Sequence, residues 1–137
     1  MAKSTSMHKR FLRAALKRLQ EAEFLLDAGF HTAAVYLAGY AVECVLKALV
    51  LSSEPVAWQK ATLKTFRGAK AHEFMWLLHE LRERKNEPSD PIKQALNEVN
   101  WWSTEIRYDP SDMKRQLAEE FLAISEKILV WARGRMP

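Results

Sequence analysis

The sequence predicts an all-α fold, an antiparallel up-and-down bundle of about five helices, four of them long or medium and one short. Three observations predict it. Apolar residues recur at helical spacing through most of the chain, no segment alternates with period two for long enough to make a sheet, and glycines and prolines fall at the edges of the periodic segments. At 137 residues, 48% hydrophobic and 28% charged, the chain has the size and balance of one domain over residues 1–137 and lies outside the disordered class.

The first helix is predicted from about Thr5 to Ala28, capped by Thr5 or Ser6, with Phe11, Leu12, Ala15, Leu16, Leu19, Ala22 and Leu26 at helical spacing and Gly29 at its end. The tight Gly29-Phe30 connection makes the next helix an antiparallel neighbour. That second helix, about His31 to Leu51, is apolar nearly all round and needs cover on most sides, from its own bundle or a second subunit. Its Ala33, Ala34, Ala38, Gly39 and Ala41 leave room for close approach, and Ser52 to Pro55 stop it. Residues Val56 to Lys70 read as a loop packed through Val56, Trp58, Leu63 and Phe66, with room for a short helical turn. A third helix, about Ala71 to Lys85, turns Phe74, Leu77, Leu78 and Leu81 inward. Glu87 to Pro91 breaks the chain and caps a fourth helix, about Pro91 to Trp102; Ser103 to Pro110 is a non-helical junction. Ser111 or Asp112 caps the last helix, whose Leu117, Phe121, Ile124, Ile128 and Trp131 form an apolar seam.

Composition narrows the function classes. The one cysteine, Cys44, excludes an intramolecular disulfide and a cysteine-rich metal site; inside an apolar run it reads as an inert buried thiol, in keeping with a cytoplasmic compartment. The stretch Met1 to Arg18 has no signal-peptide core, and Glu43 and Lys47 inside Thr32 to Leu51 argue for a buried helix instead of a membrane span. The net charge of +4 is unevenly placed: Lys9, Arg10, Arg13, Lys17 and Arg18 precede the first acid, and Lys60, Lys64, Arg67 and Lys70 form a second basic stretch. Such patches attract phosphate backbones, and solvated surface charge gives the same pattern.

Two constellations stand out. Tyr36, Tyr40, Glu43 and Lys47 fall within about 60° of one another on the second helix. A carboxylate buried among alanines and valines needs a partner, and Lys47 supplies one at i+4. The stripe reads either as a satisfied polar seam or as the floor of a binding site. The second constellation runs from Trp101 to Pro110 and gathers Trp101, Trp102, Arg107 and Tyr108, residue types that fork phosphates and stack on bases. Arg107 serves there as a ligand contact, as a clamp onto Glu43, or as both. His72 and His79 share a face of the third helix, but without a third ligand they predict no metal site. Phosphate-binding glycine loops, zinc-protease helices and serine elbows are missing, and no cofactor is predicted.

The segments Ala14-Ala15-Leu16 through Leu26, Ala33 through Leu49, Ala71-His72-Glu73-Phe74-Met75-Trp76-Leu77-Leu78 and Arg107-Tyr108-Asp109-Pro110 together resemble a HEPN domain, named for higher eukaryotes and prokaryotes nucleotide-binding. The resemblance spans nearly the whole chain and implies a dimerising helical bundle, often encoded beside a minimal nucleotidyltransferase in toxin–antitoxin or defence modules. Many members are metal-independent ribonucleases whose active site is an arginine followed a few residues later by a histidine. Here the matching positions hold Asp112, Met113 and Lys114, and no histidine follows His79. The chain resembles instead the branch with an Arg-Tyr-x-Pro junction.

The resulting expectation is a cytoplasmic, homodimeric, non-catalytic module that binds a nucleotide or RNA, with no metal and no membrane. Arg107 contacts phosphate, Tyr108 and Trp102 offer stacking surface, Glu43 and Tyr40 orient Arg107, and Lys47 and His72 complete the candidate set. The alternatives are a ribonuclease using Arg107, Tyr108 and His72, and a docking subunit for a nucleotidyltransferase.

Overall fold

A computed structural model of the chain describes residues 2–137, with side chains from Met7 onward. Among these residues there are six α-helices: α1 (Ala2–Asp27), α2 (His31–Ser52), α3 (Val56–Thr65), α4 (Phe74–Glu83), α5 (Asp90–Val99) and α6 (Arg115–Gly134). Two 3₁₀ turns, Ala69–His72 and Thr104–Tyr108, lie in the connections, and no strand occurs among the described residues.

The core is organised around α2, which packs against α1, α4 and α6. Val35, Val42, Val45, Leu46 and Leu49 are fully buried along it. Each such side chain stabilises the fold by about 1.5–3 kcal/mol through removal of apolar surface from water. α1 contributes Ala15, Leu19 and Ala22, α4 contributes Phe74, Leu77 and Leu81, and α6 contributes Phe121, Ile128 and Leu129. α5 lies on α6 and buries Ile92, Leu96 and Val99. α2 is long and apolar enough to cross a bilayer, but 83% of its most apolar window is buried inside the fold. Its hydrophobicity is spent on the protein's own core.

The α1–α2 hairpin follows from a glycine. Gly29 has φ +91°, Phe30 N–H donates to Leu25 O at 2.9 Å and Gly29 N–H to Leu26 O at 3.1 Å, the bond pattern of a left-handed helix stop. At the end of α4 the same stop is made by Lys85 at φ +57°, where Asn86 N–H reaches Leu81 O at 2.9 Å. Nothing at that non-glycine position announces a left-handed residue. Asn86 holds it from outside, donating to Ser53 Oγ at 2.7 Å and accepting from Arg135.

Several boundaries depart from expectation. α1 begins at Ala2, upstream of the expected Thr5 or Ser6 cap, whose side chains lie outside the described residues. The segment read as a loop after Pro55 is a ten-residue helix, α3. Gln59 anchors it by donating from Nε2 to Leu51 O at 2.8 Å, which also satisfies a terminal carbonyl of α2. The third predicted helix splits, so that His72 sits in a 3₁₀ turn and α4 starts at Phe74. α5 stops at Val99, before Trp102, and the Ser103–Pro110 junction holds a 3₁₀ turn at Thr104–Tyr108. α6 starts at Arg115 with no side-chain cap; Ser111 is used elsewhere. Of its expected seam, Phe121 and Ile128 are buried, while Leu117 is 42% exposed.

Candidate functional site

The stripe on α2 divides into an open end and a closed end. At the closed end Glu43 is 2% exposed, and its Oε2 accepts from Lys47 Nζ at 2.8 Å, with Lys47 itself buried. Glu43 Oε1 lies 3.0 Å from His72 Nδ1. An ionised carboxylate only accepts, so the imidazole donates there from Nδ1–H. Lys47 also lies 5.3 Å from the centre of the Phe66 ring. Each Glu43 oxygen thereby has one partner.

The expected orientation of Arg107 by Glu43 is not made: the Glu43 side chain bonds Lys47 and His72, and no ion pair or hydrogen bond joins it to Arg107 among the described residues. Arg107 stands exposed at the open end of the stripe. Hydrogen bonding to Tyr36 and then to Tyr108 holds its guanidinium further into the charged form. Its Nη2 donates to Tyr108 Oη at 3.0 Å, and its guanidinium carbon lies 4.9 Å from the Tyr108 ring centre. No carboxylate comes within ion-pair distance of it among the described residues. Tyr40 lies between the two ends. Burial, and after it the Glu43 carboxylate, push its phenol upward, so the hydroxyl stays protonated.

Trp102 is not the surface platform the sequence suggested. It is 5% exposed, its ring stacking on Phe74 at 5.4 Å and 8° and on Tyr36 at 6.1 Å and 26°. The indole lies flat against Gly39, where an added Cβ would overlap it. Gly39 thus admits a tryptophan, not a helix. The exposed aromatics at this end are Tyr108, at 73%, and Phe30, at 60%. Trp101 is half-exposed and packs edge-on against Phe121 at 5.2 Å.

Beside Arg107 is a cavity of about 330 Å³ between the first turn of α2 and the loop leading to α6. Phe30, Thr32, Ala33 and Tyr36 form one wall; Ile106, Arg107 and Asp109 through Asp112 form the other. The volume is at the lower end of the range for small-ligand sites. The loop wall is clipped to α2. Thr32 Oγ1 donates to Ser111 O at 2.8 Å and accepts from Met113 N–H at 3.0 Å, and His31 Nδ1–H donates to Met113 O at 2.9 Å. Asp109 Oδ1 accepts from Ser111 N–H at 2.9 Å and Ser111 Oγ at 2.7 Å, and these bonds hold its carboxyl below the usual carboxylate range. The cavity accordingly has a cationic side at Arg107 and an anionic side at Asp109 and Asp112.

A family model described as HEPN domain matches residues 8–135. The chain belongs to the HEPN domain family. Neither a curated protein nor a solved structure gives a significant match. An all-helical bundle and a nucleotide- or RNA-binding role are in keeping with the HEPN match.

Of the sequence-derived candidates, the HEPN structure brings Arg107 and Tyr108 together and Glu43, Lys47 and His72 together, with Tyr40 between the groups. His79 is exposed on α4, and no cluster of three metal-ligating side chains occurs among the described residues. Sequence reasoning missed Phe30, Thr32 and Ser111. Thr32, one residue inside a helix start, carried the only signal: a hydroxyl able to bond a crossing loop.

Proposed function

We propose that this HEPN protein binds a nucleotide or an RNA strand at the Arg107 cavity and does not cleave it. One observation carries the reading. Arg107 is an exposed cation with no carboxylate partner among the described residues, bonded to Tyr108 at the mouth of a nucleoside-sized cavity. Its guanidinium meets a phosphate, the exposed Tyr108 and Phe30 rings meet a base, and Asp109 and Asp112 accept from ribose hydroxyls or base amines. The polarity of the cavity suits a ligand anionic at one end and donor-rich at the other.

The test is equilibrium binding of labelled ATP and of a short oligouridine to the wild type and to Arg107→Ala. A lost charge-assisted hydrogen bond is worth about 1.5–3 kcal/mol, so affinity should fall by about ten- to a hundredfold. The thermal midpoint should stay unchanged, because the Arg107 side chain covers no core. Unaltered affinity in a folded variant would remove the site.

A ribonuclease is favoured by one contact, the buried Glu43 carboxylate orienting a partly exposed His72 as in a proton-transfer pair. RNA cleavage in chelator that disappears in His72→Ala would establish it. The exposed Phe24 and Phe30 support a homodimer, checked by sedimentation. A cytoplasmic toxin–antitoxin or defence role beside a minimal nucleotidyltransferase completes the proposal, with stable co-purification as its check.

A further inference from the structure

Away from the Arg107 cavity, α1 and α3 enclose a second cleft, of about 530 Å³. Met7, Phe11 and Ala14 of α1, Cys44 of α2 and Leu63 of α3 line it, with Arg10 at its edge. The lining is apolar and includes methionine, a side chain that repacks readily around different shapes. The rims are basic on both sides. On the α1 side Arg10 lines the cleft with Met7, Phe11 and Ala14. Lys60 and Lys64, with Arg67 just beyond the helix, flank Leu63 on the other side. These four cations are exposed, and none has a carboxylate partner among the described residues.

We propose that this cleft receives an acidic amphipathic helix of a partner protein. The apolar face of that helix rests on Phe11 and Leu63, and its carboxylates lie between Arg10 on one side and Lys60 and Lys64 on the other. The reasoning is complementarity on two counts. Exposed cations flanking the cleft complement an anionic partner, and an apolar floor complements apolar anchors, which a phosphate backbone does not supply. A second copy of this chain meeting the cleft about a two-fold axis would set the same cations against one another. Lys60 and Lys64 stand one helical turn apart, about 6 Å, which matches carboxylates at i and i+4 of a docked helix.

The probe is a labelled amphipathic Glu/Leu peptide of about eighteen residues, compared with a scrambled peptide of the same composition and with oligouridine. Anisotropy should give micromolar binding for the amphipathic peptide and at least about tenfold weaker binding for the scrambled one. Lys60→Glu with Lys64→Glu, both exposed positions, should weaken the peptide by at least about tenfold, and Leu63→Asp should do the same. Alkylation of Cys44, on the cleft floor, should slow when the peptide is bound. The proposal is overturned if the scrambled peptide or oligouridine binds as well through Lys60 and Lys64, if Cys44 stays equally reactive with peptide bound, or if no peptide binds. Arg107→Ala should leave peptide affinity unchanged, so this inference and the nucleotide reading stand or fall separately.

Discussion

Replacing Glu43 by leucine tests the centre of the fold and the stripe together. In the wild type the carboxylate bonds Lys47 at 2.8 Å and His72 at 3.0 Å while 2% exposed. Glu43→Leu strands the Lys47 ammonium at 6% exposure, with only the Phe66 ring beside it. A cation–π contact is worth about 0.5–2 kcal/mol and does not offset a buried unpaired charge. Removing one partner of such a pair costs about 3–5 kcal/mol, against a total stability of about 5–15 kcal/mol for a domain. Urea unfolding, followed by circular dichroism, should show that loss in Glu43→Leu and a comparable one in Lys47→Leu. The double variant should be much less destabilised than the sum, because no charge is left stranded; a coupling of about 1.5–3 kcal/mol is expected. Strictly additive losses would mean that the two side chains do not act as a pair, and the paired-carboxylate account of the stripe would fail with them.

Two further outcomes follow from particular side chains. Gly39→Ala should destabilise by about 1–3 kcal/mol despite the gain of up to about 1 kcal/mol that alanine brings to a helix, since the methyl overlaps the stacked Trp102 indole; a raised urea midpoint would refute the packing. Burial, and secondarily Glu43, push the Cys44 thiol up to about 11, so its neutral form persists well above neutrality. Its alkylation rate should keep rising about tenfold per pH unit up to pH ~10, whereas an ordinary thiol levels off near its own value of about 8.5. A plateau by pH ~9 would show an unburied thiol.

How much was legible beforehand depended on whether a signal was local. The helix class, the Gly29 stop and the Glu43–Lys47 pair rest on periodicity, one glycine and an i+4 spacing, all carried within a few residues. α3 was not legible. Its sequence from Val56 to Thr65 is only weakly amphipathic, and the helix is held from outside by Gln59 on the end of α2 and by Arg84, whose Nη2 donates to Thr62 Oγ1 at 3.3 Å. Arg107 was recognisable as a candidate, but its partners were not. Glu43 was within reach of several cations, and His72, twenty-nine residues on, is placed beside it by a 3₁₀ turn that leaves no pattern in the sequence. Trp102 misled for a related reason: tryptophan suits a binding surface and a core equally, and only its stacking against Phe74 decides between them.

That stacking has a consequence for binding thermodynamics. Phe74, Trp102 and Tyr36 form a pile of rings that begins in the core and ends at a wall of the Arg107 cavity. The cost of freezing the Tyr36 wall of the cavity is therefore met when the chain folds, not when a ligand arrives. A ligand docking there should bind with a small conformational-entropy penalty, and its affinity should track the rigidity of a core it never touches.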